Sequence, residues 1–174
     1  WYAFLRSSQI SGIAPARKLF FNEKLQQARE ALLKQNAAFF AQHFPRSEIW
    51  RLYEHFSDEA CFLDIETSGY YGDITVVGLY DGFQTKTFVK GFNLDMQRLH
   101  EELKKYKLLV TFNGSSFDLP VIERYCKETI PNIPHLDLRH VCSKLGLTGG
   151  LKKIEHKLGI RRDESVNDMS GAEA

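Results

Sequence analysis

The chain has few of the residues that staple small secreted folds. Among its 174 residues are three cysteines, Cys61, Cys126 and Cys142, and no CxxC pair. An odd, widely spaced set argues against a disulfide framework, so reduced, buried thiols and a cytoplasmic compartment are expected. No run of about 18 apolar residues occurs, which excludes a membrane-spanning helix. There is also no initiator methionine and no charged–apolar–small signal peptide after Trp1, and the chain is expected to be part of a longer one. Repeats and low-complexity tracts are missing too. The charge is nearly balanced at +1, with 43% hydrophobic and 13% aromatic residues. That composition supplies a core and excludes disorder as the main state. The length suits one ordinary domain.

The balanced total conceals a pattern. Residues 58–138 carry 13 acidic against 8 basic side chains, whereas residues 139–162 carry seven basic ones against Glu155 alone. An acidic centre beside a basic stretch suits a metal site next to a phosphate-binding surface, although two solvated faces would give the same count.

Residues 1–57 read as a helical segment. Apolar residues at spacings of three and four predict one helix over 21–44, with Leu25, Ala28 and Leu32 in one stripe and Leu33, Ala37, Phe40 and Phe44 in another. Pro45 ends it. Ser47 is expected to cap a second helix bearing Trp50, Tyr53 and Phe56. From about residue 58 the texture changes to strands at 60–65, 74–80 and 83–89, with Asp81-Gly82 as a two-residue hairpin turn. Asn93 is expected to cap a helix through Lys105. A fourth strand covers 108–112, and Pro120 sits in the first turn of the next helix. A short extended His135-Leu136, a helix capped by Asp137 and a last helix ended by Gly159 follow. Antiparallel strands followed by crossover connections predict a mixed sheet flanked by helices.

The chemistry-bearing residues fall at strand ends. Asp64 and Glu66 lie two apart in a strand, so both carboxylates leave one face. Like charges held together there call for a positive compensator, and a divalent cation prefers such oxygen ligands. Asp118 follows the fourth strand, at the end of an α/β sheet where ligands gather. If the fourth strand lies beside the first, the three carboxylates form a cluster suited to metal-assisted phosphoryl hydrolysis.

The segments Phe62-Leu63-Asp64-Ile65-Glu66-Thr67-Ser68-Gly69 and Asn113-Gly114-Ser115-Ser116-Phe117-Asp118-Leu119-Pro120 resemble the first two motifs of the DEDD 3′–5′ exonucleases. His135-Leu136-Asp137-Leu138, Gly150-Leu151-Lys152-Lys153-Ile154-Glu155 and Leu158-Gly159-Ile160-Arg161-Arg162 are similar to the YprB-like subgroup. The resemblance covers roughly residues 48–174. It implies a ribonuclease-H-like α/β fold over residues 58–174, and divalent-metal-dependent removal of nucleotides from the 3′ end of single-stranded DNA or RNA. By position, Asp64, Glu66 and Asp118 are implied as catalytic, metal-holding carboxylates for Mg²⁺ or Mn²⁺, two ions in the complete domain. The fourth Asp of the family, preceded by a water-positioning Tyr or His, is expected on a helix after this chain ends. Asp168 and Glu173 do not match its setting.

Around this centre the substrate-binding candidates are Thr67, Tyr70, Asn113, Lys152, Lys153, Arg161 and Arg162. Tyr70 and Tyr71 suit stacking on a terminal base or packing in the core. Asn113 suits a backbone contact or a strand-ending turn. The four cations suit phosphates or a solvated face. Asp137 reads as a helix cap rather than a fourth ligand, and His135 as a packed, hydrogen-bonded residue. The expected partner is nucleic acid with a free 3′ end, alongside other domains of a longer chain and no membrane. A non-catalytic nucleic-acid-binding module and an endonuclease of the same fold are the alternatives.

Overall fold

The computed structural model describes residues 2–7, 10–69, 72–125 and 130–162. Tyr70, Tyr71, Cys126, Asp168 and Glu173, all named above, lie outside them. Helix α1 is Tyr2–Arg6, α2 Pro15–Leu33 and α3 Ala37–His43, followed by a 3₁₀ segment, Arg46–Leu52, and α4, Tyr53–Phe56. The sheet strands are β1 (Ala60–Thr67), β2 (Ile74–Tyr80), β3 (Thr85–Val89), β4 (Leu108–Thr111) and β5 (His135–Asp137). Between and after them come α5 (Met96–Leu103), α6 (Asp118–Tyr125), α7 (Leu138–Lys144) and α8 (Leu151–Lys157). No described helix is long and apolar enough to cross a membrane.

The five strands form one mixed sheet in the order β3-β2-β1-β4-β5. β1, β2 and β3 pair antiparallel, whereas β4 is parallel to β1 and β5 parallel to β4. The fourth strand therefore does lie beside the first. The period-two alternation of β1 divides its side chains between two cores. Cys61, Leu63 and Ile65 join Val77, Leu79, Phe88 and Leu109 under α5 and α6, where Leu99, Leu103, Val121 and Ile122 complete the layer. On the opposite face Ala60, Leu108, Val110 and Leu136 pack against Ala31, Ala37, Phe40, Ile49, Leu52 and Phe56 of the N-terminal elements. Those elements cover the β4–β5 half of that face. The β1–β2 half stays open as a cleft of about 370 Å³ lined by Phe62, Asp64, Gly78, Tyr80, Phe112 and Leu151, among others.

Several sequence expectations need correction. The helix expected over 21–44 is two helices, because Gln35 adopts φ 53° and Asn36 caps α3 through its side chain, accepting from the Phe39 N–H at 3.3 Å. A polar Lys34-Gln35-Asn36 step at the end of the apolar stripe turns the chain back, and Leu33 is left 73% exposed. Ser47 caps nothing: its hydroxyl faces Glu48, and Pro45 opens a 3₁₀ segment instead. The β2–β3 connection spans four residues, not two, because the Asp81 carboxylate takes both the Phe83 and Gln84 N–H groups at 3.0 Å. Asp95 caps α5 by accepting from Arg98 N–H at 2.7 Å. Asn93 is occupied with Val89 and Thr87 of the preceding strand.

Phe56 is fully buried where the N-terminal helices meet the sheet. Phe56→Ala should cost about 3–5 kcal/mol, the usual loss for a buried phenylalanine. Phe83→Ala, at an 89% exposed position, should change stability by less than about 0.5 kcal/mol. Urea unfolding of the two variants measures the difference.

Candidate active site

Asp64 and Glu66 leave β1 on the same face, opposite Gly78 and Val76 of β2. Gly78 presents no side chain to Asp64, so the Asp64 carboxylate reaches into the open cleft. On the other flank, β1 pairs with β4 only through Phe62↔Val110 and then continues alone to Thr67. The separation begins where Asn113, at φ 68°, turns the chain out of β4. Asp118, the first residue of α6 and 3% exposed, fills the gap. Its Oδ1 accepts from the Ile65 N–H at 3.1 Å, across 53 residues of sequence. A carboxylate thus follows directly where a β-ladder ends, beside the Asp64–Glu66 pair.

The turn between β4 and α6 is held from outside. Asp137 is buried and caps α7, its Oδ1 accepting from Arg139 N–H at 3.0 Å. The same carboxylate accepts from the N–H groups of Asn113 at 2.8 Å and Ser115 at 3.1 Å, and from the Ser115 hydroxyl. Burial raises the Asp137 carboxyl, but these donors together hold it below its ordinary range. Gly114 packs so closely on Thr111 that an added Cβ would lie 2.3 Å from Thr111 Oγ1. A side chain there would push the turn away from β4.

The three acidic residues behave differently. Burial, reinforced by Asp64 and more weakly by Asp137, pushes Asp118 up to about 6. Asp64 is raised by desolvation, and Glu66 by desolvation and then by Asp64. No described Lys or Arg pairs with any of the three. Oxygen-only donors raised by burial, two of them also by the third, and without a paired cation fit a hard divalent ion in chemistry. They do not yet converge on a point: among the described residues no three His, Cys, Asp or Glu side chains are placed to hold one ion.

The flanking candidates divide. Thr67 turns its hydroxyl back to Gly69 O at 2.7 Å. Asn113 is the strand-ending turn, and its side-chain oxygen accepts from Arg139 at 2.6 Å. His135 shares a 2.9 Å hydrogen bond with Thr111 Oγ1. Burial, helped by Arg46 and opposed by Asp137, holds its imidazole down at about 4, so it is neutral at pH 7. Lys152 and Lys153 lie exposed on α8 and Arg161 just beyond it, whereas Arg162 makes a two-point contact with Glu155 at 2.8 and 3.0 Å. Leu151, at the start of α8 and next to Lys152, lines the same cleft as Asp64. Sequence reasoning found Asp137 as a cap and missed that it also holds the turn before Asp118. Only the β4–β5 register, Thr111↔Asp137, brings those residues together.

A carboxyl whose folded-state titration lies above its ordinary value near 3.8, as at Asp118, binds its proton more tightly in the native state. The metal-free protein should therefore lose stability as pH rises from about 4 through about 6, by on the order of 3 kcal/mol from Asp118 alone. Asp118→Asn keeps the shape and removes the charge. It should unfold at a higher temperature than the parent at pH 7.5 in EDTA, and the gap should close by pH 4. A pH series of thermal melts checks this.

The profile of the RNase H superfamily matches residues 61–174. A comparison with curated protein sequences finds no match. Among solved structures, the fold is similar to RNase D of Escherichia coli, an exoribonuclease involved in structured RNA processing, with a TM-score of 0.51 and 20% identity over 73% of this chain and 34% of that one. It is also similar to the family B DNA polymerase of the hyperthermophilic archaeon Pyrobaculum calidifontis, with a TM-score of 0.52 and 11% identity over 65% of this chain and 20% of that one. This chain thus spans about a third of the first protein and a fifth of the second. At these identities the likeness concerns the fold. With the mixed sheet and the profile match over most of its length, the chain belongs to the RNase H superfamily.

Proposed function

We propose that residues 58–174 form a divalent-metal-dependent 3′–5′ exonuclease domain acting on single-stranded nucleic acid, close in motif to the YprB-like DEDD enzymes. One observation carries the reading: Asp118 sits buried where the β1–β4 ladder ends, its carboxyl raised by that burial and then by the neighbouring Asp64. A structural acid gains nothing from such a neighbour; a metal ligand does, because the cation offsets the repulsion. Asp64, Glu66 and Asp118 would hold Mg²⁺ or Mn²⁺, and a pair of such ions stabilises the attacking and leaving oxygens of a phosphodiester. The protein's own part is to hold these carboxylates. Asp137 and Gly114 fix the turn, the turn fixes α6, and the Ile65 N–H orients Asp118.

Lys152, Lys153 and Arg161 are placed in this reading as phosphate contacts, together with Tyr70 as a stacking group and Thr67 and Asn113 beside the terminal nucleotide. Arg162 contributes through its pairing with Glu155 to the end of α8. Cys61 and Cys142 are free thiols, in keeping with the reducing, cytoplasmic compartment that this reading expects.

Calorimetry with Mn²⁺ should register binding by the parent and at least tenfold weaker binding by Asp118→Asn. Unchanged affinity would remove Asp118 from the ligand set. In Mn²⁺ an end-labelled linear single strand should shorten from its 3′ end while a circular strand of the same sequence persists. Cutting of the circle would establish an endonuclease instead. Binding of both without cutting would establish a binding module.

A further inference from the structure

A groove runs along β5, with α3 and the 3₁₀ segment on one side and α6 and α7 on the other. It is made of two cavities of about 410 Å³ each that share Arg46, Ser115 and His135. The shared Ser115 is bonded to Asp137 at the C-terminal end of β5 and lies in the turn that leads from β4 to Asp118, so this part of the groove is at the same end of the sheet as the carboxylates. Its far part is lined by Trp50, His140 and Lys144. Arg46 is exposed and makes no ion pair among the described residues, and its charge is felt by the His135 ring. Lys144 is held in place by Ser47 O at 2.7 Å and Glu48 at 3.7 Å. Trp50 is 41% exposed, with the Arg51 guanidinium 4.5 Å from its ring centre. The acids nearby are Asp137 in this cavity, whose carboxylate is taken up by Ser115, Asn113 and Arg139, Glu123 in the other cavity, and Glu48, which is engaged by Arg51 and Lys144.

We propose that this groove is the track for the body of a single-stranded nucleic acid whose 3′ end lies at Asp64 and Asp118. Arg46 and Lys144 meet phosphates, His140 donates a hydrogen bond, and Trp50 stacks on a base. Fixed cations beside a half-exposed aromatic match a strand that alternates phosphates and flat bases. An acidic peptide would use the cations but leave the indole without a planar partner. Arg46 and Trp50 lie before residue 61, outside the superfamily match, so the N-terminal segment would supply substrate contacts the superfamily core does not contain. The inference rests on the exonuclease reading for the position of the 3′ end.

The test compares the parent with Arg46→Gln and Trp50→Ala. Affinity for a labelled 12-nucleotide single strand is read by fluorescence anisotropy in EDTA, and hydrolysis of that strand and of a dinucleotide is read in Mn²⁺. Trp50→Ala should weaken 12-mer binding roughly five- to 150-fold, the range for one stacked base, and Trp50→Phe should restore most of it. Arg46→Gln should flatten the salt dependence by about 0.7 in slope. Dinucleotide hydrolysis, which does not reach the groove, should stay at the parent rate in all variants. Unchanged 12-mer affinity and slope in both variants would overturn the groove while leaving the exonuclease intact. A parent that hydrolyses neither substrate would defeat the exonuclease reading, and the anisotropy would still decide whether the groove binds a strand. Displacement of the 12-mer by polyglutamate as readily as by unlabelled strand would also overturn the proposal.

Discussion

The separation of β1 from β4 after Phe62 and Val110 is the constraint on which the carboxylate end depends. Parallel strands that stayed paired would bury the edge of β1 and leave no gap for a side chain from α6. Their ladder ends because Asn113 leaves β4 in a left-handed turn, a conformation that favours Asn over most residues. Asp137 then holds that turn through two backbone N–H groups and a hydroxyl, and accepts a third N–H from Arg139 at the start of α7. One buried acid joins β5, the β4–α6 turn and the start of α7. A second, Asp118, joins α6 to β1. The first is lowered by its donors, whereas the second is raised by burial and by Asp64. Two buried aspartates within one end of the sheet therefore have opposite electrostatic characters, and only one is suited to receive a cation.

Much of this was legible in the sequence because it is local or periodic. The DxE spacing in a strand specifies a common face whatever the fold, and the apolar run around it specifies that the strand is buried. Crossover logic gave the mixed sheet, but the placement of β4 beside β1 was only a condition for the cluster, and the strand order meets it. What was not legible was set by competition between short-range polar contacts. Asn36, Asp81 and Asp95 each bond a backbone N–H two or three residues ahead. The outcome depends on which of several adjacent Asn, Asp and Ser residues captures the N–H, and periodicity is silent on that. The misplaced caps at Ser47 and Asn93 are errors of that kind. The second duty of Asp137 is of another kind, since it needs the strand register and no sequence window contains it.

The N-terminal segment is where composition understates the structure. A stretch with helical spacing and no acidic motif reads as packing, and Ala31, Phe40, Ile49 and Phe56 do pack. Yet the segment covers only the β4–β5 half of its face. That asymmetry has two consequences. It leaves Asp64 at an open cleft instead of under a helix. It also lays the 3₁₀ segment along β5, which as an edge strand would otherwise be exposed to pairing with another chain.

A 3₁₀ segment is suited to that place. With three residues per turn, Ile49 and Leu52 recur on one face and are both buried, while Ser47 and Trp50 recur on another and are exposed. Arg46, the first residue, begins the buried row but lies at its open end and is exposed. An α-helix of the same sequence would rotate these positions away from one another, since 3.6 residues per turn carries successive i+3 residues off a common line. The narrower period keeps the anchoring residues in register with the straight edge of a strand. The packing residues thereby fix the exposed ones, and the cations and the indole of the groove are held by a hydrophobic contact they do not share.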